Sequence, residues 1–218
     1  PKTALITTEG FRDVLELARM IRPASYDLHF SKARLLVPRH LRFEAAERID
    51  AKGNVVKSLE QNELDRLVEQ VRNSGAEAVA VSCLFSFLNP EHEKKIGAAL
   101  REKLPGCHVC LSCEVNPIFR EYERTCVVVL NAALVSVMSE YLQKIHDGLR
   151  ELGCTAPLYI MRQDGGYMGS SVAQTMPVQA LVSGPTGGAL MANYLGHLTQ
   201  NMNVVSLDVG GTTADVCM

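Results

Sequence analysis

Asp208, Gly210, Gly211, Thr212, Thr213 and Asp215 fall within one stretch, Leu-Asp-Val-Gly-Gly-Thr-Thr-Ala-Asp-Val-Cys, over residues 207–217. Carboxylates on both sides of a glycine pair, with two threonine hydroxyls, suit the handling of phosphate. Glycines remove the Cβ atoms that keep a bulky anion from the backbone and permit φ > 0. The amides of such a turn can cradle phosphate oxygens. Asp208 is placed to hold a hydrated Mg2+ bridging those oxygens. Val204-Val205-Ser206-Leu207 reads as a short buried strand delivering Asp208 at its carboxyl end, with a returning strand over 213–217. The alternative is an ordinary hairpin; the flanking carboxylates and paired threonines favour phosphate. No lysine follows the glycines in P-loop spacing, and G-x-G-x-x-G occurs nowhere.

Other segments each admit two readings. Asp164-Gly165-Gly166 lines a nucleotide or substrate cleft, or makes a plain hairpin turn. Ser183-Gly184-Pro185-Thr186-Gly187-Gly188 leads into a helix expected from 188 or 189 to about 197. Gly184, Gly187 and Gly188 thus meet an anion at a helix amino terminus, or simply allow close packing. Thr7 and Thr8 contact substrate or nucleotide, or cap the next helix. Arg120, Glu121, Glu123 and Arg124 form a solvated face or a buried ionic network. Cys107, Cys110 and Cys113 have C-x-x-C-x-x-C spacing, but in a strand Cys110 faces away from the other two. Those thiols read as small core hydrophobes. His92-Glu93 lacks the second histidine of H-E-x-x-H and reads as an acidic helix start. The absence of G-x-S-x-G leaves a serine hydrolase little support.

The elements that must position these residues are legible in the apolar spacing. A strand over 3–7 precedes a helix over about 10–20 with a Phe11, Val14, Leu15, Ala18 stripe. Strand-like 41–49 and a turn at 50–54 follow. Next come a helix carrying Leu64, Leu67, Val68 and Val71, a strand over 78–84, a helix from Pro90 to about 103 and a strand over 107–113. A long helix is expected from about 117 to 152, with a break near Asn131. Its stripe is Tyr122, Cys126, Val129, Ala133, Val137, Tyr141, Ile145 and Leu149, and Gly153 ends it. Strands are expected over 158–161 and 178–182. The alternation predicts an α/β layered architecture.

The 218 residues are 47% hydrophobic and 21% charged, the balance of a globular chain. A net charge of -2 predicts neither nucleic acid nor an anionic membrane surface as partner. The stretch that comes closest to an apolar span, 126–138, is interrupted by Asn131 and Ser136, falls short of the ~18 residues that span a bilayer and reads as a buried helix. Seven cysteines, an odd number, predict reduced thiols and a cytoplasmic setting.

Asp-x-Gly-Gly-Thr-Thr-x-Asp resembles the phosphate hairpin of the actin, sugar kinase and heat-shock chaperone superfamily, which closes two such hairpins around ATP and Mg2+. Thr7-Thr8-Glu9-Gly10-Phe11-Arg12-Asp13, Leu36-Val37-Pro38-Arg39, Glu47-Arg48-Ile49-Asp50 and Asn89-Pro90-x-His92-Glu93 resemble segments of the hydantoinase A and 5-oxoprolinase family. So do Arg120-Glu121-Tyr122-Glu123-Arg124 and Ser183-Gly184-Pro185-x-Gly187-Gly188, all in family order. The fold implied is α/β, an incomplete actin-like nucleotide-binding core with an α/β N-terminal region. Residues 1–124 would be the N-terminal region and 125–218 the core region.

The activity implied is ATP-dependent phosphorylation and opening of a cyclic amide such as a hydantoin or 5-oxoproline. The alternatives are an ATP-dependent ketone carboxylase subunit, a non-catalytic actin-like nucleotide-binding module and, more distantly, a sugar or acetate kinase. Asp208 would hold Mg2+, and Asp215 would orient the hairpin, the metal's water or the attacking oxygen. A hydantoinase B-type subunit is the expected partner. The resemblance also implies an internal fragment, inactive alone because it supplies one wall of a cleft. Two departures stand out: Gln163-Asp164 where relatives commonly have Ser-Asn, and Thr186 where alanine is usual.

Overall fold

The computed structural model describes residues 1–21, 26–27, 29–30, 35–201, 203–211 and 213–218. They divide into two units, Pro1–Val137 and Met138–Met218.

The first unit is built on a four-stranded parallel sheet. Its strands are β1 (Thr3–Thr8), β2 (Arg42–Ala45), β5 (Ala78–Ser82) and β6 (His108–Leu111), in the order β2-β1-β5-β6. Between β1 and β2 lies a one-turn helix α1 (Val14–Leu17). A short hairpin of β3 (Arg48–Ile49) and β4 (Val55–Lys57) precedes helix α2 (Gln61–Ser74). Asp50 accepts hydrogen bonds from the Lys52 and Asn54 amides and holds the hairpin turn. Strand β5 leads through 83–90 to helix α3 (Glu91–Lys103), and β6 runs straight into a one-turn helix α4 (Ser112–Val115).

Strands buried on both faces need apolar residues throughout, which Ala-Val-Ala-Val in β5 supplies. On one face Leu64, Leu67, Val68 and Val71 of α2 and Ile96 and Leu100 of α3 join the core. Each such side chain contributes about 1.5–3 kcal/mol. The other face is covered by the first half of α5 (Glu121–Glu151), where Thr125 bonds Ser82 at 2.8 Å and Asn131 donates to Cys110 Sγ at 3.4 Å.

Three expectations for this unit are corrected. The helix expected over 10–20 shrinks to one turn, because Ala18 (φ 51°) and Met20 (φ 55°) take positive φ and interrupt it. The break expected at Asn131 is absent, since its buried side chain bonds out to β6 and leaves the helical backbone intact. Helix α5 also presents a different face: Val128, Val129, Ala132 and Val135 are buried together with Arg124, Thr125 and Asn131, while Val137 and Tyr141 are exposed. Polar residues with specific partners occupy the inner stripe, so apolar spacing alone misplaced it. At 31 residues α5 is long and apolar enough to cross a bilayer by composition, unlike the 13-residue run considered alone. Its side chains bonded to the sheet mark its first half as a core helix.

The second unit gathers Leu142 of α5, Met168 and Ala173 into a small core, with Met138, Leu158, Ile160 and Ala180 packed around it. Strands β7 (Tyr159–Met161) and β8 (Tyr167–Gly169) form an antiparallel hairpin followed by α6 (Ser170–Thr175) and a 3-10 turn at Pro177–Ala180. The strand expected over 178–182 is therefore replaced by a turn, with Pro177 suited to begin it. Helix α7 (Ser183–Thr199) starts five residues earlier than Gly188. Pro185 is tolerated because first-turn amides have no intrahelical acceptor. Gly153 (φ 78°) ends α5 as expected, its amide bonding Arg150 O at 2.9 Å. The chain closes with the hairpin β9 (Ser206–Val209) and β10 (Ala214–Cys217).

Candidate functional site

Hairpin β9–β10 pairs Asp208 with Asp215 and Leu207 with Val216. Cross-strand partners project from one face, so the two carboxylates share a side of the hairpin and the aliphatic pair takes the other. Like charges held opposite one another are unfavourable unless something positive or hydrogen-bonding lies between them. The pair therefore fits a hydrated divalent cation in its donor chemistry. The turn closes through the Gly210 amide, which donates to Thr213 O at 2.9 Å. A side chain at Gly210 would lie 3.6 Å from that carbonyl oxygen, and one at Gly211 would meet nothing within 4 Å. Neither glycine takes a left-handed φ, so their contribution is missing bulk, not a special backbone angle. Thr212 lies outside the described residues. Contrary to the buried strand expected at 204–207, β9 begins at Ser206, and Leu207 and Val209 are 65% and 69% exposed.

The hairpin and the first turns of α7 enclose a groove of about 820 Å3. Gly184 and Gly188, one helical turn apart, line it with Thr186, Asp208 and Asp215. No atom lies within 4 Å of a Cβ built on either glycine, so their backbone is open to a ligand. Gly187 points elsewhere: a Cβ there would meet Met161 Sδ at 3.0 Å, which makes it a packing contact with β7.

Asp164-Gly165-Gly166 forms the β7–β8 turn. Gly165 takes φ 85°, Asp164 accepts the Gly166 amide at 3.1 Å, and its carboxylate pairs with Arg162 at 2.7 Å. Thr7 and Thr8 are buried at the end of β1; Thr8 bonds Glu47 and accepts the Leu84 amide at 2.9 Å, so its hydroxyl is engaged. The structure thus joins Gly184, Gly188, Asp208 and Asp215 in one groove. The 164–166 turn and the Thr7–Thr8 pair belong to other local arrangements.

A second polar constellation, in the first unit, lies at the carboxyl ends of the parallel strands. Glu47 bridges Thr8 and His92, with His92 Nδ1 at 2.6 Å. Glu93 accepts the Cys83 amide at 2.7 Å, the Ser112 hydroxyl at 2.6 Å and the Cys113 amide at 2.9 Å. Arg124 donates to Cys83 O at 2.7 Å, Ser112 Oγ at 3.1 Å and Ile118 O at 3.1 Å, and its guanidinium stacks over Phe87. Burial pulls the Arg124 pKa below its ordinary value, opposed chiefly by the Glu93 charge. Of the Arg-Glu-x-Glu-Arg cluster only Arg124 is buried; Glu123 instead pairs with Arg19 at the surface.

The inward role of His92 and Glu93 was missed in the sequence. The signal was there: His92, Ile96 and Leu100 share the i, i+4, i+8 stripe that α3 buries. Cys110 lies in the core, and Cys107 donates its thiol to Ala76 O at 3.6 Å. Burial pushes the Cys107 thiol up to about 11 and Cys113, also beside Glu93, up to about 12. At pH 8, well below both values, iodoacetamide is expected to label these two at least roughly 100-fold more slowly than an ordinary thiol. The exposed Cys154 and Cys217 serve as internal references in mass-spectrometric mapping.

A parallel α/β unit followed by a unit ending in a glycine-turned acidic hairpin defines the class of protein. The hydantoinase/oxoprolinase N-terminal region matches residues 1–104, and the hydantoinase/oxoprolinase region matches residues 124–218. The chain belongs to the hydantoinase/oxoprolinase family. It is 40% identical to an uncharacterised protein of Methanocaldococcus jannaschii, over 98% of this chain and 32% of that protein. It superposes on the crystal structure of the ATP-dependent caprolactamase from Pseudomonas jessenii with a TM-score of 0.88 and 33% identity, covering 98% of this chain and 31% of that one. A nucleotide-free acetone carboxylase structure gives 0.86 and 28%, covering 99% and 32%. The chain thus spans about a third of the length of these proteins.

Proposed function

We propose that this chain is part of an ATP-dependent enzyme that activates the carbonyl of a cyclic amide for ring opening. The observation that carries the reading is the single groove lined by Asp208 and Asp215 together with Gly184 and Gly188. Similarity to a caprolactamase described as ATP-dependent supports the nucleotide and the substrate class. Similarity to acetone carboxylase supports a second reading, activation of a ketone for carboxylation. For a cyclic amide, ATP when bound would supply a phosphoryl group that turns the resonance-deactivated carbonyl oxygen into a leaving group; for a ketone it would phosphorylate the enol oxygen, which stays in the carboxylated product once phosphate is released.

The chain's own residues would act by positioning and charge compensation, the main demands of phosphoryl transfer. Asp208 would hold Mg2+, Asp215 would orient the hairpin or a metal-bound water, and the amides of Gly211 and Thr213 would face phosphate oxygens, while the Gly210 amide is engaged in closing the turn. Within this reading residues 125–218 form part of an actin-like nucleotide-binding core, and 1–124 an α/β region. The complete protein would work with a B-type partner subunit in the cytoplasm. The test is ADP release by the complete protein with its partner, across a panel of hydantoin, 5-oxoproline, caprolactam and small ketones. Stimulation by a cyclic amide is the expected result; stimulation by ketones alone selects the carboxylase reading, and none by either class removes both.

A further inference from the structure

We infer that Thr186 is a positioning residue for the groove, tying the first turn of α7 to the Asp164 turn. The inference rests on reading the groove as a nucleotide site. Thr186 lines the groove between Gly184 and Gly188, yet its hydroxyl faces two carbonyls, Val182 O at 3.0 Å and Gln163 O at 3.2 Å. One hydroxyl proton is shared between them, so each bond alone is weak and both must be in place to hold the geometry.

What it holds is unusual. Val182 precedes the helix at φ 57°, ψ 17°, the left-handed region that a β-branched side chain rarely enters. Backbone held there persists only where its surroundings over-determine it. Here they comprise the Thr186 amide, 3.3 Å from Val182 O, and the Thr186 hydroxyl on the same oxygen.

The second carbonyl extends the constraint. Gln163 opens the turn that carries Asp164, and its own amide bonds Gln179 O at 2.8 Å, in the segment just before Val182. The β7–β8 hairpin also leans on α7 without spare room: a Cβ on Gly165 would meet Leu190 Cδ1 at 2.9 Å, and one on Gly187 would meet Met161 Sδ at 3.0 Å. The hairpin therefore approaches α7 closely at Gly165 and Gly187, and the Thr186 hydroxyl adds a polar tie between the first helical turn and Gln163 O. Loss of the hydroxyl frees Val182 to leave the left-handed region, and the first turn carrying Gly184 and Gly188 moves relative to Asp208 and Asp215.

The experiment compares Thr186→Val, which keeps the shape and removes the hydroxyl, with Thr186→Ser, which keeps the hydroxyl, both in the complete protein. Thr186→Val is expected to raise KM for ATP roughly five- to tenfold, the worth of about one hydrogen bond, with kcat within about twofold. Thr186→Ser is expected to remain near wild type. Without nucleotide, the amides of 163–166 and 183–188 should exchange faster in Thr186→Val than in Thr186→Ser. Thr186→Ala provides the same loss of hydroxyl should the valine variant fail to accumulate. Unchanged KM in the hydroxyl-free variants overturns the inference, and so does faster exchange with KM unmoved, which would leave Thr186 a purely structural residue. Asp208→Ala run in parallel separates the two levels: wild-type turnover there overturns the nucleotide reading of the groove, whereas lost turnover there with an unmoved KM in Thr186→Val overturns the positioning role alone.

Discussion

Asp208→Ala in the complete protein is expected to lower substrate-stimulated ATP hydrolysis by at least about 100-fold, the scale of losing one preorganised electrostatic group at a reacting centre. The melting temperature should hardly move. Asp208 stands on an exposed strand opposite another carboxylate, so its removal relieves a repulsion and opens no core cavity. Stability and activity therefore separate, which a collapsed hairpin would not allow. Asp208→Asn is the sharper variant, because it keeps the shape and hydrogen-bonding reach while removing the charge that would hold a cation. Steady-state ADP release over a magnesium titration gives the measurement. Wild-type turnover in both variants would remove Asp208 from the chemistry and leave the groove without its principal residue.

The second large effect is on stability. Arg124→Met is expected to destabilise the first unit by about 3–5 kcal/mol, the cost of breaking a buried charged network from one side. Two effects compete. Methionine removes the desolvation penalty of a buried guanidinium and fills much of its volume, which favours the variant. Against this, the Cys83 and Ile118 carbonyls and the Ser112 hydroxyl each lose a charge-assisted donor at 2.7–3.1 Å. Glu93 keeps its three donors but loses the nearby positive charge that partly offsets its own burial. The losses outnumber the single gain, so the sign is destabilising. Arg124→Lys should recover only part, since one ammonium cannot satisfy the same fork of acceptors. Hydrogen exchange at the Cys83 and Cys113 amides, which bond Glu93 directly, measures the effect locally; protection equal to wild type in Arg124→Met would contradict it.

The division between what could and could not be read beforehand follows the range of the forces involved. Helix α2, strand β5 and the Gly153 stop were legible because local periodicity and backbone preference determine them within a few residues. The helix expected over 10–20 failed although its apolar stripe was present. An amphipathic stripe raises helical tendency, but short helices depend on packing, and only Leu15 of that stripe is buried. The strand expected at 178–182 failed similarly, because Val-Gln-Ala-Leu-Val suits several conformations until neighbours choose.

For the candidate site, the sequence by itself determined the chemistry at hand: a glycine pair flanked by Asp208 and Asp215, and a second glycine-rich segment ending at Gly188. Residue types and their spacing are local properties, so no fold is needed to recognise them. Only the tertiary structure decided that Asp208 pairs with Asp215, that Gly184 and Gly188 line one groove with them while Gly187 packs on Met161, and that Glu47, His92, Glu93 and Arg124 meet inside the first unit. The physical reason is that helical phase and strand register are set by long-range packing. A helix rotated by one residue turns its glycines by about 100°, and a strand slipped by one residue moves its carboxylate to the opposite face.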